Sequence, residues 1–298
     1  MCEFGQCPEG QEVRPSQLAS GKVKLPGGLS LNVQEWGKGA NCCLFIHGFG
    51  DGGYVWRNLA ADIAADFHSF ALDLRGHGDS DWDPKARYDL TSYVADVVHV
   101  MESIGRKNLV LVGHSLGGDI AIRVASLCGK NILGLVVVDF GPSLNADGTD
   151  QVHSEFLAAN QIYNQISDYA KWLGERRPLA EEGGLLHIAH CSLRSTGDGS
   201  FRLKADPAIA KFDQYRNDCE GRERELWKLL RALTCPVLVV RGFGSAVLPR
   251  YAAEQMVGAL PNGHLKSVPM AGHAVMQDNP RGFADAVRPF LLSIVGRL

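Results

Sequence analysis

Gly113-His114-Ser115-Leu116-Gly117, with Gly118 behind it, is where residue types and spacing could do covalent chemistry. It reads G-x-S-x-G between a strand-like run, 109–112, and a helix-like run, 116–127. A serine at a sharp strand-to-helix turn presents its hydroxyl to a cleft. Small residues two before and two after it let strand and helix approach. The next helix N-terminus aims backbone N–H groups at a developing anion. That chemistry is attack on a carbonyl carbon. The alternative is a chance turn in which Ser115 only caps the helix. The strand–turn–helix setting favours the nucleophile.

An attacking serine needs an oxyanion hole and a base. His47-Gly48-Phe49-Gly50 follows an apolar run, 42–46, as a loop donating the second N–H group should. The backbone N–H groups of Phe49 and Leu116 are therefore assigned to the hole. A purely structural turn capped by His47 is the alternative. The base should be a histidine near the end of the chain, because a serine on this kind of strand–turn–helix fold is followed in the chain by the acid and then the histidine. Ten histidines are available, and His273 follows the last strand-like run directly, in Met270-Ala271-Gly272-His273-Ala274. His264 starts that strand and belongs at the opposite edge. His68, His77 and His114 come before or beside the nucleophile, and His99 lies inside a helix.

The elements that must hold these residues alternate in type. Strand-like runs cover 22–25, 29–36, 42–46, 69–74, 109–112, 132–138, 236–240 and 264–269. Helix-like runs cover 54–65, 90–104, 116–127, 249–260 and 279–295, with Leu90, Val94, Val97, Val98, Met101 and Ile104 on one face. This predicts an α/β fold with a mostly parallel, doubly wound, eight-stranded sheet. Between Gly141 and Cys235 the strand signal disappears and only helical pieces remain. The gap is too long for a plain loop and predicts a helical cap inserted after strand 6. The expected organisation is a core from 1–141 and 234–298, with the cap at 142–233. Working groups belong at the carboxyl ends of strands. His47, Asp73, Ser115, Asp139 and the loop after Val240 should share that edge.

HGFG at 47–50, LDLRGHGDS at 72–80, GHSLGG at 113–118 and AGH at 271–273 together resemble the α/β-hydrolase superfamily. The resemblance covers about residues 22 to 295 apart from a divergent cap. It implies a serine hydrolase of esters, thioesters, lactones or amides. Dehalogenases and epoxide hydrolases of this superfamily carry Asp where Ser115 stands, and many carbon–carbon bond hydrolases carry a different loop after the first histidine. Most members place the triad acid after strand 7. Here that segment reads Arg241-Gly242-Phe243-Gly244-Ser245-Ala246-Val247-Leu248, without a carboxylate. The superfamily's second location, directly after strand 6, holds Asp139 in this chain, as in hydrolases of enamide-type substrates. The resemblance thus implies that Asp139 accepts the His273 Nδ1–H. The alternative is that Asp139 only ties down the cap entrance. Phe49, His114 and the cap aromatics Phe156, Tyr163 and Trp172 are expected to contact substrate, although cap aromatics at such spacing also serve simple packing.

Composition excludes other classes. Lys plus Arg is 30 and Asp plus Glu is 33, giving −3, which argues against a nucleic-acid or polybasic membrane-surface protein. The longest apolar stretch, 132–138, is too short to span a bilayer. No CxxC pair occurs, and Cys42, Cys43, Cys128, Cys191 and Cys235 read as small buried hydrophobes in a reducing cytoplasm. The N-terminus lacks a basic region followed by an apolar one, so no secretory signal is expected. No phosphate-loop pattern occurs, and His187, His190 and Cys191 lack an evident fourth ligand, so neither cofactor nor metal is expected. Arg176-Arg177 reads as a solvated pair, with an anchor for an acidic substrate as the alternative. The expected partner is a small-molecule substrate, with monomer and homodimer both open. A ligand receptor and a cofactor-free oxygenase or perhydrolase on the same fold are the rival functions.

Overall fold

The computed structural model describes residues 19–105, 108–211 and 219–296; the expected lead-in before residue 19 lies outside them. Eight strands form one sheet: β1 (Ala19–Lys24), β2 (Ser30–Trp36), β3 (Asn41–Ile46), β4 (Phe67–Leu72), β5 (Leu109–His114), β6 (Ile132–Val138), β9 (Val237–Gly242) and β10 (Gly263–Val268). Their order is β1-β2-β4-β3-β5-β6-β9-β10. The β1/β2 and β2/β4 pairs are antiparallel, and the rest are parallel. β3, β5, β6 and β9 lie inside the sheet with helices on its faces. Their continuous apolar runs follow, because both sides of each strand are buried.

The flanking helices are α1 (Arg57–Asp62), α2 (Leu90–Ile104), α3 (Leu116–Cys128), then α8 (Arg250–Ala259), α9 (Val275–Asp278) and α10 (Pro280–Val295). Asp89 caps α2 by accepting the Ser92 N–H, and Gly105 ends it at φ +65°. The buried face of α2 includes Tyr93 and Val100, while Val98 and Ile104 sit at its margin. Of the five cysteines read as buried, Cys128 and Cys235 are only half-buried.

Between β6 and β9 the chain forms α4 (Ala146–Ala159), α5 (Ile166–Arg176), α6 (Glu182–Ser192), the strands β7 (Leu193–Ser195) and β8 (Phe201–Leu203), and α7 (Cys219–Ala232). The insertion is mostly helical, and its short β7–β8 hairpin is the part that the sequence pattern does not show. Three-residue strands are too short to show an alternating pattern. Gly197 and Gly199, at φ +91° and +90°, make the turn between them. Among the described residues no helix is long and apolar enough to cross a membrane.

Register brings the working residues to one edge. Ile46 pairs with Gly113, His114 with Val138, and Val138 with Val240. The residues following β3, β5, β6 and β9 therefore emerge side by side.

Candidate active site

Ser115 sits between β5 and α3 at φ +51°, ψ −119°, a region that residues with a side chain rarely occupy. The turn is pinned by Ser115 N–H donating to Val138 O at 3.0 Å and by Gly118 N–H donating to Ser115 O at 2.8 Å. The flanking glycines are required by space. A Cβ on Gly113 would lie 2.1 Å from Gly117 O, and one on Gly117 would lie 2.2 Å from Ile46 O.

Asp139 follows β6 and is fully buried. Its Oδ2 accepts the His273 Nδ1–H at 2.8 Å and also the Ser245 hydroxyl. Its Oδ1 accepts the Gly242 N–H at 3.1 Å. The carboxylate is thus held by three donors from the β9 and β10 ends, and the His273 proton is fixed on Nδ1. His273 Nε2 is left with a lone pair. Ser245 stands in the loop that lacks a carboxylate. Its oxygen also accepts the Val247 and Leu248 N–H groups at 3.1 Å each, which shapes that loop around Asp139.

The N–H groups of Phe49 and Leu116 have no acceptor among the described residues, and Leu116 opens α3. His47 anchors the first of these loops. Its Nδ1–H donates to Gly48 O at 2.7 Å, and its Nε2 accepts the Leu74 N–H at 2.9 Å. Burial pushes its pKa down to about 4, so the ring is neutral near pH 7. Asp73 braces the next turn by accepting N–H groups from Gly53 at 2.6 Å and Asp79 at 2.9 Å. Arg75, in the same 72–80 segment, forms a two-bond pair with Asp96 at 2.5 and 2.6 Å.

Ser115 and His273 line a common cavity of about 300 Å³ that the insertion covers. Phe49, His114, Phe156 and Trp172 line it too. Phe49 meets Phe156 edge to face at 4.9 Å. Tyr163 does not line it. Its hydroxyl donates to Ala159 O at 2.9 Å and its backbone pairs with Phe201, so it fastens α4 to the hairpin. Tyr169, 5.0 Å from Tyr163, occupies the wall in its place. Helical phase puts Tyr169 and Trp172 on one face of α5, three residues apart.

Arg177 is likewise not the solvated residue expected. It is half-buried at the end of α5, lines the cavity and donates to Gln277 Oε1. Gln277 Nε2 in turn donates to Asp51 Oδ1 at 3.2 Å, joining the insertion to the loop that carries Phe49. Among the described residues no carboxylate lies within 4.0 Å of Arg177. Arg176 stays at the cavity mouth, 3.9 Å above the Trp172 ring. A larger open groove of about 1110 Å³ runs beside Leu25, Val94 and Leu229, but none of Ser115, Asp139 and His273 lines it. Among the described residues no three His, Cys, Asp or Glu gather as a metal site would require.

A sheet of this order, with a serine on a strained turn after β5, defines an α/β hydrolase. The pattern described as the alpha/beta hydrolase family matches residues 43–286, and the chain belongs to that family. It is similar to 2-(acetamidomethylene)succinate hydrolase of Mesorhizobium japonicum, at 27% identity over 280 residues, covering 94% of this chain and 98% of that protein. It is also similar to an esterase of Mycobacterium tuberculosis, at 29% identity over 271 residues, covering 88% and 86%. The crystal structure of an E-2-(acetamidomethylene)succinate hydrolase superposes with a TM-score of 0.82 at 27% identity, covering 92% of this chain and 99% of that one.

Proposed function

We propose that this hydrolase cleaves a carboxylic ester, thioester, lactone or amide of a small, partly apolar substrate through an acyl-enzyme. His273 Nε2 takes the Ser115 proton as Oγ attacks the carbonyl carbon. Asp139 stabilises the imidazolium, and the Phe49 and Leu116 N–H groups hold the oxyanion. His273 then protonates the leaving group, and water repeats the sequence to release the acid. The observation that carries this reading is the Asp139–His273 bond at 2.8 Å beside a cavity that also contains Ser115.

Arg177 supports one refinement. Arg177 lines the cavity and its side chain gives one hydrogen bond, to Gln277, among the described residues, so an oxygen acceptor of the substrate, carboxylate or carbonyl, is expected beside it. A relative named for hydrolysis of a substituted succinate is in keeping with this.

The test is turnover of p-nitrophenyl esters of graded length, acyl-CoAs, lactones and amides by the wild type and Ser115→Ala. The variant should lose on the order of 10⁴ to 10⁶ in kcat. Retention of more than about a tenth of activity would contradict the reading.

A further inference from the structure

His114, the residue before the nucleophile, was expected to touch substrate, but most of its surface faces protein. It is buried, at 2% exposure, in the cavity wall. Its Nε2 lies 2.9 Å from the main-chain oxygen of His273. That oxygen can only accept, so Nε2 carries the hydrogen. Burial and the neighbouring His273 hold the His114 pKa well below its ordinary value, and a neutral ring has one N–H to give. Nδ1 is therefore bare, and it has no hydrogen-bond partner among the described residues. It lies against Gly48: a Cβ on that glycine would come within 2.8 Å of Nδ1. Gly48 is joined directly to Phe49.

We infer that His114 is a positioning residue, a strut that sets the backbone of His273 and the loop bearing the Phe49 N–H at fixed distances from Ser115. The inference rests on the reading of Ser115 as nucleophile and His273 as base. Asp139 fixes the His273 ring through Nδ1, and His114 fixes its main chain through the carbonyl. Two attachments, one to ring and one to backbone, hold His273, and its Nε2 has no hydrogen bond among the described residues. The other edge of the His114 ring keeps Gly48 at contact distance. One ring thereby spans the base, the nucleophile and the oxyanion loop. A misplacement of about 1 Å among such groups costs on the order of 100-fold in rate.

The test compares three substitutions. In His114→Gln the side-chain amide reaches as far as Nε2 and keeps a donor there. In His114→Asn it reaches only as far as Nδ1. His114→Phe keeps the ring and loses the donor. Purified variants are assayed on one p-nitrophenyl ester, with active sites counted by a fluorophosphonate and folding followed by thermal melting. His114→Gln should retain kcat within about 5-fold of the wild type. His114→Asn and His114→Phe should lose about 10- to 100-fold in kcat per active site, with KM within about 3-fold. A His114→Phe variant with wild-type kcat would show that the ring only fills space and would overturn the inference. So would a His114→Gln variant as slow as His114→Phe. Ser115→Ala is run alongside: if it remains active, the reading of the triad fails, whereas an inactive Ser115→Ala beside a fully active His114→Phe removes the strut alone.

Discussion

His273 Nδ1 donates at 2.8 Å to an Asp139 oxygen that also accepts the hydroxyl of Ser245. The shared oxygen ties the carboxylate after β6 to the loop after β9, where no carboxylate stands. Asp139→Asn should lower kcat on the order of 10³ to 10⁴, because the amide disturbs the histidine tautomer while preserving the shape. Ser245→Ala should cost less, about 10-fold, since two donors to the carboxylate remain. Steady-state kinetics of both variants checks this; equal losses would show that Ser245 is more than a support.

Arg177 donates to Gln277 and opens into the cavity beside Phe49 and Trp172. Arg177→Gln should raise KM at least about 10-fold for esters whose acyl part carries a carboxylate, and less for neutral esters of the same length. An equal rise for both would remove the oxygen-acceptor role.

Much of this site was legible in the chain. The GHSLGG run has no other easy use, because Gly113 and Gly117 sit where any Cβ would strike backbone. Asp139 is marked by the absence of a carboxylate directly after Val240 combined with the family resemblance. The cap was less legible. Whether Tyr163 or Tyr169 faces substrate depends on how α4 and α5 roll against the sheet, and periodicity gives a face without saying what it meets. Arg177 reads as half of a surface pair because its place in the cavity wall depends on the distant Gln277, which Asp51 holds in turn. Ser245 has an ordinary turn residue's signature, and only the fold reveals its partner.

Tyr163 and Trp172 provide a contrast within the cap. Tyr163→Phe removes the bond to Ala159 O and should cost about 1 kcal/mol of stability with kcat/KM unchanged. Trp172→Ala opens the cavity wall and should raise KM several-fold. Urea unfolding and ester hydrolysis separate the two effects. A several-fold KM change in Tyr163→Phe would place its ring at the substrate after all.

Buried histidines make stability depend on acid. His47 has an ordinary value of 6.5, lowered by burial to about 4, and His77 is lowered to about 3 by burial and by His47. The unfolded chain takes up these protons below about 6.5, and the folded one does not. Their contribution is fully present above that pH and is lost as pH falls toward 4. For His47 alone the loss between pH 7 and 5 is about 2 kcal/mol. Buried carboxylates such as Asp73, raised by burial, act in the opposite sense. Comparing wild type with His47→Gln therefore isolates the histidine. The variant should show a shallower decline over that interval, and parallel curves would contradict the assignment.

The central claim is that Ser115 becomes covalently bonded during turnover. Intact-mass and peptide analysis after reaction with a fluorophosphonate tests it most directly. One adduct per chain, on Ser115, slowed by at least about 100-fold in His273→Ala and absent in Ser115→Ala, is the predicted result. An adduct on another residue, or undiminished labelling of Ser115→Ala, would contradict the account.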